Sequence, residues 1–400
     1  MAVAKQQVAP PRGETGLLGW IRRNLFSTWY NGLLTLVSLG VLYLLLRGLI
    51  VWAVRTARWG VVTRNLRLLM IGSYPPEQSW RPATCVLIVC LLLGLSWAIW
   101  GRGMRIFALV LGGALGLLAL FRFATPTRLW LLANPVAVAL GYGLGLLLRR
   151  WRRAGLAALL AWLLGFGVTW VLLQGFRKVA GLPYVSMESS WGGLLLTFVL
   201  SIVGIVLSFP IGVLLALGRR SELPAVRILS IIFIEVVRGV PLVTVLFMAN
   251  IMLPLFLPEQ IRIERVVRAM AGMLLFSAAY TAENVRAGLQ SIPEGQIEAA
   301  KALGLRGYQT TFLIVLPQAL RLVIPANVGQ FIALFKDTSL VAIIGLLDLL
   351  NIGRSVLAQP DFMGLQREVF LFIALIYGIF SYAMSYGSYR LEKALGLGER

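Results

Sequence analysis

Histidine is absent from all 400 residues, which excludes zinc sites built on imidazole ligands. Cysteine is nearly absent. Cys85 and Cys90 share one apolar run, no Cys-x-x-Cys pair occurs, and both read as buried thiols with no metal centre between them. No G-x-x-x-x-G-K-[ST] loop occurs either, so the chain cannot hold ATP in the P-loop manner. Any ATP use must be borrowed from another polypeptide, and no cofactor is expected in this chain. Charge is scarce at 13%, and acidic charge scarcer still: 16 Asp and Glu against 37 Lys and Arg give a formal +21. In a soluble protein that surplus would suggest nucleic acid. Here the arginines cluster at the flanks of apolar runs, where they orient a span against anionic lipid, so no nucleic acid is expected.

What is abundant is apolar. With 59% hydrophobic residues and a mean hydropathy of +0.84, the bilayer is this chain's solvent. Runs rich in Leu, Val, Gly and Ala, of about 20 residues each, fit helices rather than the short alternating strands of an outer-membrane barrel. The expected fold is an all-α polytopic membrane protein with about ten transmembrane helices. They fall near 31–54, 83–100, 105–124, 130–148 and 155–174, then 192–217, 228–255, 267–287, 321–347 and 367–389. The first run is too long for a signal-peptide core and should remain as a span.

A change of character at Ser190-Trp191 divides the chain into an N-terminal extension, 1–190, and a second half, 191–400, each with five spans. An amphipathic segment near 56–80 sets Val61, Val62, Leu66, Leu69 and Met70 opposite Arg64 and Arg67, as in a helix lying along the membrane surface. Arg149-Arg150-Trp151-Arg152-Arg153, with Arg219, Arg220 and Arg227, marks cytoplasmic loops and puts both termini inside. The same counting leaves the arginines of 55–81 outside, against the positive-inside rule. Either lipid headgroups hold them or an early pair of spans is re-entrant.

The second half is interrupted by a polar, basic stretch, SIPEGQIEAAKALGLRGYQTTFLIVLP, from Ser291 to Pro317. Ser291 and Glu294 have capping-box spacing with Pro293 in the first turn, which predicts a helix start, and Gly304 predicts a left-handed stop after Leu303. Ala299 and Ala300 thin one face of that helix so that it can enter a groove on another protein, while Glu298 and Arg306 offer charged rim contacts. Glu298-Ala299-Ala300, three residues, Gly304, nine residues, then Ile314-Val315-Leu316-Pro317 resembles the EAA signature of the permease subunits of ATP-binding-cassette (ABC) importers. The resemblance implies that Glu298, Ala299, Ala300, Gly304, Arg306 and Pro317 belong to a segment that couples to an ATPase.

Three further stretches are similar to those of the polar amino-acid uptake permeases, the group that includes histidine, glutamine and arginine importers. They are Glu235 to Leu242 (EVVRGVPL), Tyr280 to Gly288 (YTAENVRAG) and Lys336 to Val341 (KDTSLV). The resemblance covers residues 191–400 and implies a five-helix, type I importer core. The five spans ahead of Trp191 depart from the usual pattern, although long general amino-acid permeases have such an extension, some with a stretch like Tyr74-Pro75-Pro76-Glu77. What it implies is a multi-pass subunit of a bacterial cytoplasmic membrane that moves amino acids inward. Its partners would be a dimer of ATPase subunits carrying ATP and Mg, a second permease half of the same or a homologous kind, and an external solute-binding protein.

Ionisable residues inside a span need a water-lined cavity or a partner. Glu235 with Arg238, and Glu283 with Arg286, sit three apart on one helical face, so each pair either neutralises itself as a structural ion pair or works as a gate. Lys336, Asp337, Thr338 and Ser339 are four consecutive polar residues that no single helix face can hold. A zwitterion needs an acceptor for its ammonium, for which Asp337 or Glu283 would serve, and a donor for its carboxylate, for which Thr338, Ser339 or Lys336 would serve. Tyr280, Glu283, Lys336 and Asp337 are the leading candidates for a substrate pathway, and packing against a sister subunit explains them as well. A second reading, a proton-coupled secondary transporter using Glu235, Glu283 or Asp337, is open to the same residues. Against it, the two halves show no repeat.

Overall fold

A computed structural model describes residues 17–120, 125–177, 181–258, 260–394 and 396. The N-terminal tail as far as residue 16, Lys178 and Arg400 lie outside the described residues. Contacts divide the chain into two compact units, Met1–Gly60 and Val61–Arg400. The first holds α1 (Trp29–Val51), which has no buried residue and presents apolar surface all round.

The second unit opens with the short α2 (Leu66–Ile71) and continues with α3 (Trp80–Trp100), α4 (Arg102–Leu118), α5 (Thr125–Leu148) and α6 (Ala154–Gln174). Then come α7 (Gly193–Arg219), α8 (Pro224–Gly239), α9 (Leu242–Phe247), α10 (Arg265–Gln290) and α11 (Glu294–Ala302). The chain ends with α12 (Leu316–Asp337), α13 (Leu349–Leu357) and α14 (Gln366–Ala394). Among the described residues, seven helical segments are long and apolar enough to cross a membrane, and the bent α8–α9 pair makes an eighth. With the shorter apolar α4 and the 26-residue α10, they account for the ten expected spans.

One expected span is broken. The axes before Gly239 and after Pro241 differ by 108°. Pro241 has no N–H to continue the ladder and drives Val240 into extended backbone (φ −111°, ψ 135°).

The tightest packing in the extension joins α3 to α5. Its cause is glycine. A Cβ on Gly141 would overlap the Leu91 carbonyl, and one on Gly94 would overlap the Val138 carbonyl, so the two backbones approach as only small residues allow. In the second half α10 is the central helix, packed on α7, α8 and α12.

The amphipathic segment does not lie on lipid. Val61, Val62 and Leu69 are buried, and α2 packs on the first turn of α7 and on α13. Gly193 has φ +60°, and a Cβ there would overlap the Leu69 carbonyl. Further on, Tyr74 is fully buried and donates to the Leu173 carbonyl (2.8 Å), while Arg81, also fully buried, donates to the Pro183 carbonyl (2.9 Å). Apolar residues of the segment therefore found a protein surface to cover instead of a lipid one. Tyr184 donates to Glu264, and Glu188 pairs with Arg265 (2.9 Å), so the last loop of the extension also grips the start of α10.

At the same end of the core, Asp348 caps α13 by accepting from the backbone N–H of Leu350 (3.0 Å) and Asn351 (3.1 Å). It is fully buried and lies 3.4 Å from the Tyr377 hydroxyl. Burial outweighs these bonds and pushes its carboxyl from the ordinary 3.8 up to about 6.

Two outcomes follow from this packing. Gly141→Val should destabilise the extension by about 1–3 kcal/mol through overpacking, read as a lowered midpoint in detergent thermal melts monitored by size exclusion. For Asp348, the folded state holds its proton more tightly than the unfolded chain. Its contribution is fullest below pH 3.8 and is lost as pH rises through about 6. Asp348→Asn keeps the cap and should flatten that part of the melting-midpoint-against-pH curve; an unchanged slope would refute the assignment.

Candidate coupling loop and membrane-embedded polar cluster

The expected capping box at Ser291 is not made. Ser291 belongs to the exit of α10, where its hydroxyl donates back to the Gly288 carbonyl (2.8 Å), and Pro293 in extended backbone stands at the N-cap of α11. The stop is as expected: α11 ends at Ala302, and Gly304 adopts φ +80°. Beyond it the Arg306 N–H donates to Gln309 Oε1 (2.9 Å), and a wide turn over 310–315 leads to Pro317 in the first turn of α12. Gln318 Nε2 donates to Gln296 Oε1 (2.7 Å), clamping α11 to α12.

Glu298, Ala299, Gly304, Arg306 and Pro317 are exposed. Ala300 is not: it is 3% exposed and turned into the protein, because consecutive helical residues point about 100° apart. The two alanines therefore do not share one docking face. What accompanies Ala299 outside is apolar: Leu303 is 82% exposed, and Tyr308, Phe312 and Leu313 are exposed beside it. These four went unnoticed in the sequence reading, although apolar side chains in a polar, basic loop were the available signal.

Toward the membrane, Glu283 on α10 draws three arginines from three helices. Arg286 Nε lies 2.9 and 3.0 Å from its two oxygens, Arg238 of α8 lies 3.6 Å away and Arg219 of α7 3.7 Å. Glu283 and Arg286 are thus the self-neutralising pair that their spacing suggested. Glu235 and Arg238 are not. Glu235 bonds Arg219 (2.8 Å), a residue read only as a loop marker, and Arg238 lies over the Tyr280 ring at 5.5 Å. The backbone break at Gly239–Pro241 immediately follows Arg238, so the cluster joins the bent helix to α7 and α10.

The four polar residues from Lys336 fall where α12 ends and a tighter 3-10 turn runs over Thr338–Ile344. Thr338 is fully buried, donating to the Phe335 carbonyl (2.7 Å) and meeting the Tyr377 hydroxyl at 3.4 Å. Asp337 and Ser339 are half-buried, and Lys336 is exposed. Asn284, next to Glu283, bonds Asn327 (3.0 Å), and Asp337 lies ten residues further along the same helix, about 15 Å away. Glu283 and Tyr280 thus gather at one level, and Lys336 to Ser339 at another. Asn284, Asn327, Asp348 and Tyr377, the polar groups that link helices at these levels, were not singled out from sequence.

Residues 208–396 match the family model described as "Binding-protein-dependent transport system inner membrane component". The inner membrane amino-acid ABC transporter permease protein YhdY of Escherichia coli K12 is 38% identical over 97% of both chains. The glutamate/glutamine/aspartate/asparagine transport system permease protein BztC of Rhodobacter capsulatus is 36% identical over 98% of both. Among solved structures, an amino acid ABC transporter with histidines aligns with 50% of this chain and 90% of that one, at a TM-score of 0.45 and 27% identity. Matched end to end by long-form relatives, this chain belongs to the family of amino-acid ABC transporter permeases.

Proposed function

We propose that this chain is one transmembrane half of an ATP-driven importer that brings amino acids across a bacterial cytoplasmic membrane. A second permease half, identical or homologous, completes the path, and an external solute-binding protein delivers the substrate. Two ATPase subunits, which carry the ATP and Mg, grip the 291–317 loop. The observation that carries the reading is the apolar rim formed by the exposed Leu303, Tyr308, Phe312 and Leu313 along the polar loop that contains the left-handed Gly304. Such a rim in water is a liability unless a partner covers it.

Movement of that loop reaches the membrane by two contacts. The Gln296–Gln318 bond passes it to α12, and the Ser291–Gly288 bond passes it to α10. At Gly288 a Cβ would sit 2.8 Å from the Ala319 carbonyl, so α10 and α12 move there as one piece. A shift of α10 carries Glu283 past Arg238, and the backbone break beside Arg238 leaves the bent helix free of that shift. Closure of the ATPase dimer would draw two such loops together and open the path outward; hydrolysis would return it inward. The proton-coupled alternative suits this cluster poorly, because a proton-carrying carboxylate must be free of permanent cations and Glu283 faces three arginines.

Leu303→Asp and Gly304→Asp should each reduce the ATPase retained on purification from native membranes. For Leu303 the loss should be about thirtyfold, the worth of one interface anchor. ATP-driven amino-acid uptake into vesicles should fall with it. Full retention with unimpaired uptake would sink the coupling role. Glu283→Gln should depress uptake about tenfold with the ATPase still bound, since it leaves partly buried arginines unmatched. Glu235→Gln, on a side chain 53% exposed, should leave uptake near wild type.

A further inference from the structure

Between Glu77 and Glu188 the sequence contains no aspartate or glutamate, yet it carries a run of arginines. The α3–α6 bundle therefore holds positive charge that none of its own side chains can neutralise. Part of that charge borders a cavity of about 440 Å³ at the turn between α3 and α4, lined by Trp97, Trp100, Gly101, Arg105, Tyr142 and Arg149. The Trp97 and Tyr142 rings are 4.5 Å apart, and the Arg105 guanidinium lies 5.8 Å over Trp97. Among the described residues neither Arg105 nor Arg149 makes an ion pair. Glu392, on the helix against which α4 packs, is engaged by the Ser388 hydroxyl (2.8 Å).

The surroundings say what kind of anion fits. Trp100 and Trp151 are exposed at this end of the bundle, where amphipathic rings settle at the level of lipid headgroups. Leu146, 44% exposed, shares the Tyr142–Arg149 face of α5 and lies from Arg149 toward the middle of the span. An occupant with a phosphate at one end and acyl chains at the other would satisfy both surfaces. We propose that this cavity binds the phosphate headgroup of an anionic phospholipid, with Arg105 and Arg149 as its cationic partners and Trp97, Trp100 and Tyr142 as its walls.

The site bears on the permease core. Two residues beyond Arg105, Phe107 presses its ring against Gly387 of α14, where a Cβ would overlap it. A lipid held at the α3–α4 turn therefore braces the contact through which the extension touches the last helix of the core.

The test is native mass spectrometry of the intact transporter exchanged into mixed micelles of phosphatidylglycerol and phosphatidylcholine in equal amounts. Wild type should retain phosphatidylglycerol in preference. Arg105→Gln and Arg149→Gln should each weaken that retention about fivefold, the ordinary worth of one arginine at an anionic surface. Arg150→Gln, which removes a neighbouring exposed arginine outside the cavity, should leave it unchanged. Equal retention of the two lipids would overturn the proposal, as would an equal loss in Arg150→Gln, which would assign the effect to diffuse surface charge. Millimolar inorganic phosphate should displace nothing; displacement would reassign the site to a soluble phosphate.

Discussion

Glu283 is the fixed point of the second half. Only 22% of its side chain is exposed, so most of its charge must be met by the protein. Arg286 meets it from the same helix, and Arg238 and Arg219 from two others. Because those arginines arrive from α8 and α7, the electrostatic requirement of one residue sets the relative positions of three helices. The break at Gly239–Pro241 is compatible with it, since a straight helix through this point would carry the chain past the cluster instead of turning away by 108°. The 291–317 loop inherits its position from the same helix: α10 ends seven residues beyond Glu283, and the loop begins there.

Much of this was legible in the sequence, and the parts that were not share a cause. Spans, the left-handed Gly304 and the Glu283–Arg286 pair are local in sequence, set by hydropathy, one glycine and helical spacing. Contacts between distant segments were missed. Spacing alone offered Glu235 to Arg238, but Arg219 on the preceding helix lies at 2.8 Å and wins. The pattern of Ser291 and Glu294 suggested a capping box, but α10 runs longer than hydropathy indicates and claims Ser291 for its own last turn. The amphipathic segment with Leu69 had an apolar stripe, and a stripe does not say whether lipid or protein covers it. Only the close approach at Gly193 decides that. For the same reason Lys336 to Ser339 did not join Glu283 in one site: the sequence places both in spans but not at one depth.

The long extension is more than a lipid-facing appendage. It touches the core at both ends of the bundle, and each contact falls on a particular moving part. Near Asp348 it holds the first turn of α7 through α2, and the start of α10 through Tyr184 and Glu188. At the other end Phe107 holds α14 at Gly387. None of these contacts involves the bent α8–α9 pair. A transport cycle that rocked α10 against α7 or α14 near those anchor points would have to break a buried contact in every turn. A cycle in which α7, the outer part of α10 and α14 move together with the extension, while the bent pair shifts past Glu283, leaves those extension contacts intact and exchanges the Arg238–Glu283 pair (3.6 Å) and the Arg219–Glu235 pair (2.8 Å) instead. Packed interfaces resist sliding more than part-exposed ion pairs do. The extension therefore selects which helices move as one body, and the arginine cluster marks where that body ends.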